Sequence, residues 1–254
     1  MVLLLWIEWQ ARGIEGQKRR ASRVIELVWV VDDNADAPLR SEHGLAVWVE
    51  TEHGALLLDT GGSGDVLLHN MHHLGLDPGR LSAIVLSHAH DDHTGGITAL
   101  LPLLSPGTAL YAHPAVFRQR FSASSGVMQP RGLQAAAEVL SARLEVHLSR
   151  SAQSVLPGVW TTGEIAPRPH PEGRSRYHYV QRDGVFAADP YEDDLSLVIR
   201  PAEDELFLLC GCCHAGLLNT LDLVARSWSG RLSGIGGGVH LGGCLLYTSP
   251  SPRD

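Results

Sequence analysis

Short apolar runs bounded by polar, Gly or Pro positions recur along the chain, and runs of this kind read as buried strands. Residues 25–31, 45–50, 55–59 and 83–86 open the series, and 110–112, 144–148, 159–161, 195–199 and 206–210 continue it. Between them lie helical candidates at 65–74, 114–121 and 216–226, and Thr94-Gly95-Gly96 opens an apolar stretch, 97–104, that begins as a helix. Two groups of strands separated by helices suit two sheets packed face to face with helices outside. No short-period repeat and no linker to a second domain interrupts the pattern.

Residues 1–22 lack periodicity and are expected to be a flexible extension or to follow a start codon placed too early; residues 23–243 form the folded domain. Residues 121–134, rich in Ser and Gly, are expected to be a loop or lid. Residues 168–184 form a longer polar stretch carrying His170, Arg174, Arg176, His178 and Arg182. Loops beside a site commonly choose its substrate, and Arg with His suits a phosphate or carboxylate. Arg174 and Arg176 are therefore candidate substrate contacts; a solvated surface loop explains the composition equally well.

At 254 residues the chain fits one large α/β domain or two small ones. Hydrophobic residues at 44% and charged residues at 19% are ordinary for a globular protein. The formal charge of −8 argues against a nucleic-acid partner, and Lys18-Arg19-Arg20 is the one basic run. Cys210, Cys212 and Cys213 are too closely bunched to pair with one another, and with Cys244 they suggest a reducing compartment rather than a disulfide framework. The apolar run at 2–6 is far too short to span a membrane, and the basic residues follow it rather than precede it. The expectation is a cytoplasmic protein with a small-molecule substrate and no nucleic-acid or membrane partner.

The densest chemistry lies in Ser87-His88-Ala89-His90-Asp91-Asp92-His93-Thr94-Gly95-Gly96, directly after the buried run 83–86. Imidazole nitrogen and carboxylate oxygen suit zinc, iron or manganese. Four side chains in six positions would crowd a single tetrahedral ion, so two adjacent ions explain the spacing better. His88 and His90, two apart on extended chain, point the same way and serve one ion; Asp92 and His93, past the turn, serve the second. Two such ions lower the pKa of a bridging water and clamp the attacked and leaving oxygens, a hydrolytic design. Asp193 and Asp194 orient a metal-bound histidine from behind or cap a turn, and both readings stay open. Cys212 and Cys213 are read as structural thiols beside a strand.

The motif resembles the His-x-His-x-Asp-His signature of the metallo-β-lactamase superfamily. Leu56-Leu57-Leu58-Asp59-Thr60-Gly61 is similar to that family's early strand ending in Asp-Thr-Gly, whose aspartate supports the metal site. Glu42-His43-Gly44-Leu45, Thr162-Gly163-Glu164-Ile165 and Gly211-Cys212-Cys213-His214-Ala215-Gly216 resemble the dihydropterin ribofuranosyl-aminobenzene phosphate synthase-like branch. The resemblance implies an α/β fold, the four-layer αββα sandwich, with two divalent ions, zinc ahead of manganese or iron. It implies His88, His90, Asp92, His93 and His214 as ligands, Asp92 also acting on the nucleophile, and Asp59 and Asp194 supporting them. His240, in Gly237-Gly238-Val239-His240-Leu241, resembles an element expected to touch substrate. The implied activity is hydrolysis of a small phosphorylated, ester or pterin-related metabolite by a metal-bound hydroxide. Two alternatives accompany it: an iron-dependent oxidoreductase with the same ligands, or a catalytically incomplete binding module. The last follows from residues 244–254, which lack the family's look and are expected to be a non-native tail replacing a later histidine-bearing segment.

Overall fold

The structure, a computed structural model, describes residues 25–239 and the backbone of Leu5–Trp6. His240, Cys244 and residues 244–254 lie outside the described residues, as do 1–22 apart from that strand.

Alternation along each strand explains how the layers assemble. In the strand Gly54–Leu58, Leu56 and Leu58 point one way and Leu57 the other. The same holds for Val47 and Val49 against Ala46 and Trp48, and for Leu197 and Ile199 against Val198. One seven-stranded sheet runs Leu5–Trp6, Glu26–Val31, Ala46–Thr51, Gly54–Leu58, Leu81–Val85, Ala109–Ala112, Glu145–Leu148. Its first pairings are antiparallel, and those from Gly54–Leu58 onward are parallel. A five-stranded sheet runs Ser154–Leu156, Val159–Thr161, Ser196–Ala202, Glu205–Cys210, Arg231–Gly237.

Val47, Val49, Leu56, Leu58 and Val85 meet Leu197, Ile199, Phe207 and Leu209 in the core between the two sheets. Trp48, Leu57 and Ile84 pack outward against Leu67 and Met71 of the helix Gly64–Leu74 and against Ile97 and Leu100. Val198 and Leu208 pack outward against Val224 of the helix Leu217–Ser227. The result is the expected αββα order. The helix Gly64–Leu74 has the ends its sequence encodes: Ser63 accepts from the Val66 amide, and Gly75 closes it at φ 68° in the left-handed region.

Three expectations are corrected. Residues 114–121 do not form a helix: Pro114–Phe117 is one 3-10 turn, after which Arg118 is extended and Arg120–Ser122 is a strand. Arg120 and Ser122 are buried and Phe121 is not, so the local period is two. The loop at 121–134 and the polar stretch at 168–184 likewise contain strands. With Val185–Ala188, just beyond them, they build a third, four-stranded sheet in the order Val185–Ala188, His178–Arg182, Arg120–Ser122, Gln129–Pro130. Backbone pairing makes these strands, with little apolar patterning to announce them.

Candidate metal centre

Three strand ends converge on one buried point. Gly54–Leu58 and Leu81–Val85 are parallel neighbours, so Asp59 and Ser87 emerge at the same edge of their sheet. Glu205–Cys210 of the second sheet delivers Gly211 against them. A Cβ on Gly211 would lie 2.1 Å from Ser87 Oγ and 3.3 Å from Asp59 Oδ2, so this approach requires glycine.

Asp59, fully buried, sits at φ 58° in the left-handed region that Asp tolerates better than most residues. Its Oδ1 accepts from the Ser87 amide at 2.7 Å, and its Oδ2 accepts from Ser87 Oγ at 2.6 Å and from His93 Nδ1 at 2.7 Å. Because the Ser87 hydroxyl gives its proton to Asp59, Ser87 Oγ accepts from His88 Nδ1 at 2.8 Å. One carboxylate thereby orients two rings: His88 and His93 both carry protons on Nδ1, so Nε2 is the nitrogen that each turns toward a cation. His214 is oriented the same way, its Nδ1 donating to the Gly173 carbonyl at 3.4 Å. Carboxylates and carbonyls commonly hold metal-binding histidines in this manner.

The donor atoms gather into two groups. Within His88, His90 and His214 the donor atoms lie within 4.8 Å of one another, and the same is true of His88, His93 and Cys212. His88 Nε2 faces His90 Nδ1 at 3.0 Å, and Cys212 Sγ faces His93 Nε2 at 2.9 Å. With Nδ1 committed to Ser87, His88 has one nitrogen to offer and serves one ion at a time. The second group then draws on Asp92, whose Oδ2 is 3.6 Å from His93 Nε2 and 3.5 Å from His43 Nε2. Buried imidazoles with a thiol and a carboxylate fit a divalent ion of the zinc type.

Burial, with the neighbouring imidazoles, holds His88 and His90 well below the ordinary histidine range, so both are neutral. At His93 burial also opposes charge, but Cys212 and Asp59 outweigh it and hold the ring well above that range. Burial raises the Cys212 thiol, and His93 opposes the rise.

The paired aspartates occupy distinct positions behind the cluster. Asp193 Oδ2 accepts from the Ala89 amide at 2.9 Å, and its Oδ1 pairs with the buried Arg120, which also holds Asp189 at 3.0 Å. Asp194 Oδ2 accepts from the Ala215 amide at 2.8 Å, steadying the turn that carries His214. Burial raises Asp193 to about 6 against Arg120, and Asp194 to about 7 against the Ala215 amide.

His88, His90, His93 and His214 therefore come together as expected, with Asp92 at the rim and Asp59 and Asp194 behind. Cys212, expected from the sequence to be a structural thiol, lies within one of the two donor groups. Cys213, 3.6 Å from Thr220 Oγ1, packs beneath the helix Leu217–Ser227 as a structural thiol. Arg176 turns onto Tyr177, its guanidinium 4.8 Å from the ring centroid. Arg174 lines a cleft of about 330 Å³ with Arg168, His170, Glu172 and Gly173, next to His214. Of this wall Arg168 is already committed, donating to the carbonyls of Ile165, Pro190 and Tyr191.

The chain is similar to known proteins in sequence and in fold. The chain is 28% identical over 231 residues to the 7,8-dihydropterin-6-methyl-4-(beta-D-ribofuranosyl)-aminobenzene-5'-phosphate synthase of Methanocaldococcus jannaschii, covering 85% of this chain and 78% of that protein. It is 22% identical over 214 residues to the uncharacterized protein MJ0448 of the same organism, covering 84% and 78%. The crystal structure of Tm1679, a metal-dependent hydrolase of the beta-lactamase superfamily, shares the fold with a TM-score of 0.71 at 24% identity, covering 88% of this chain and 78% of that one. The family model of the metallo-beta-lactamase superfamily matches residues 40–191, and the chain belongs to that superfamily.

Proposed function

We propose that this protein is a metal-dependent hydrolase of small phosphorylated, ester or pterin-related metabolites, working with two divalent ions, zinc by preference. The observation that carries the reading is the pair of buried donor groups meeting at His88, with the inward-facing Nε2 atoms set by Asp59 through Ser87 and His93. His88, His90 and His214 hold one ion; His93, Cys212 and Asp92 hold the other. When bound, the ions would supply Lewis acidity and a water of lowered pKa.

The chain's own residues supply the rest. Asp92, the partly exposed carboxylate of the cluster, would hold the second ion through Oδ2, the oxygen that faces His93 Nε2, and leave its other oxygen to orient the attacking water and take its proton. Asp59 keeps the histidine tautomers fixed through the cycle. The Arg174 cleft beside His214 suits a phosphate or carboxylate on the substrate. The phosphate and pterin in the name of the M. jannaschii relative support that substrate class. Three free, closely spaced cysteines favour a reducing, cytoplasmic setting. No helix among the described residues is long and apolar enough to cross a membrane.

Metal analysis of the purified protein, followed by a panel of ester, lactone, thioester and phosphodiester substrates, tests the proposal. Bound zinc with turnover of one class supports it. Failure to bind zinc, manganese or iron overturns it, as does an iron-loaded protein that consumes oxygen and hydrolyses nothing.

A further inference from the structure

Tyr191 has a left-handed backbone, φ 49°, where a bulky aromatic residue is costly, yet it is fully buried. The surroundings hold it there. Its amide donates to Asp189 Oδ1 at 2.8 Å, and its carbonyl accepts from Arg168 Nη2 at 2.5 Å. The strained backbone puts the ring in two roles at once. It stacks on His214 with centroids 4.4 Å apart and planes at 18°, and its hydroxyl meets His178 Nδ1 at 2.8 Å.

The direction of that second bond follows from proton counting. The Ser175 amide, 3.2 Å from the Tyr191 oxygen, can only donate, so of the two groups that meet this buried hydroxyl His178 Nδ1 is the one that can accept its proton. His178 Nδ1 is thus an acceptor, and the proton of the neutral ring is on Nε2. This is the opposite of His88, His93 and His214, which turn Nε2 toward a cation. The His178 ring nevertheless lies in the same cluster, edge-on to His90 at 4.7 Å and to His214 at 5.8 Å. Its position is fixed by the third sheet, where His178 pairs with Ser122 and its carbonyl accepts from the Asp189 amide at 2.9 Å.

We propose that His178 contacts the substrate, donating from Nε2–H to an anionic phosphoryl or carboxylate oxygen bound at the His88–His90–His214 group, and that Tyr191 positions it by fixing its tautomer. The inference rests on the hydrolase reading for the location of substrate, but not on turnover. An N–H beside a group of metal-facing lone pairs recognises an oxyanion rather than an ion. The third sheet is then a substrate-facing wall of the site.

The test uses the zinc-loaded full chain with ¹⁵N-labelled histidine and two probes, inorganic phosphate and acetate. Long-range ¹H–¹⁵N spectra are expected to show His178 protonated on Nε2, and Tyr191→Phe to shift it toward a tautomer mixture. His178→Ala is expected to weaken phosphate, acetate or both by about tenfold or more, as for loss of a hydrogen bond to a charged group. His178→Gln, which retains an amide donor, recovers part of that affinity, and zinc content is unchanged throughout. If His178→Ala folds poorly, the Gln and Tyr191→Phe variants carry the test. Unchanged anion affinity in His178→Ala, an Nδ1-protonated His178, loss of zinc on its removal, or no anion binding by the wild-type protein overturns the proposal. A protein that hydrolyses nothing but binds phosphate through His178 would overturn the hydrolase reading and leave this one standing.

Discussion

Asp193 Oδ2 accepts a 2.9 Å hydrogen bond from the backbone amide of Ala89, the residue between His88 and His90. The two histidines are thus held from behind by a carboxylate more than a hundred residues later in the chain. That carboxylate is anchored in turn: Arg120 pairs with it and with Asp189, and donates from Nη1 to the carbonyls of Ala115 at 3.1 Å and Arg118 at 3.2 Å. Arg120 stands on the third sheet, so the wall of the site and its metal-facing loop form one braced unit. The arrangement is buried, and a buried charge is sustained only while its partners remain.

Asp193→Asn removes the charge opposite Arg120 while nearly preserving shape. Loss of one partner of a buried ion pair costs about 3–5 kcal/mol. Urea denaturation of the metal-free protein is expected to show a loss of that order. Zinc affinity should fall as well, because Asn has a single acceptor oxygen, for which the Ala89 amide and Arg120 then compete.

Asp59→Asn acts on tautomers rather than on the fold as a whole. An amide cannot accept from the Ser87 amide, the Ser87 hydroxyl and His93 Nδ1 with both of its heteroatoms. His88 and His93 then lose their enforced Nδ1–H form. A fall in metal affinity of about 10–100-fold is expected by chelator competition, the usual cost of losing a carboxylate behind a ligand histidine. Unchanged affinity would show that Asp59 serves the fold alone.

The two adjacent thiols should separate cleanly in cobalt-substituted protein. Cys212 is 2.9 Å from His93 Nε2, whereas Cys213 faces Thr220. A thiolate–cobalt charge-transfer band is expected in wild-type protein, retained in Cys213→Ser and lost in Cys212→Ser. A band that survives Cys212→Ser removes this residue from the second ion.

Acidification should release the two ions in order. His88 and His90 are held below the ordinary histidine range, so no proton competes at those two nitrogens near neutrality. His93 and Cys212 are both held above their ordinary values, so an ion there displaces a proton from each. Affinity at the second position therefore rises with pH, with a log-affinity slope approaching about two protons, and is lost first as pH falls. Metal content after dialysis between pH 8 and about 6 checks the order; simultaneous loss of both ions contradicts it.

Much of the molecule was legible without coordinates. The strands at the centre of both main sheets are apolar runs whose alternate residues face two hydrophobic layers, and such runs declare themselves locally. The histidine cluster declares itself too, because His88, His90, Asp92 and His93 lie within one turn of chain, and Asp59 ends a strand of unmistakable type. The third sheet was not legible. Its strands are held by backbone pairing; apart from the exposed apolar run Val185–Ala188, they are short or mostly polar and read as loop.

The sequence by itself determined the fold class, the buried strands and a metal-type loop, because each is written in neighbouring residues. Tertiary structure alone decided which nitrogen of each histidine faces inward, since Asp59 must reach both Ser87 and His93 from another strand. It alone brought Cys212 to His93 across 119 residues, turned the surface-like Arg120 into a buried brace and set Tyr191 between His214 and His178. Residue type and spacing name the donors; only the crossing of distant strands sets where their protons sit.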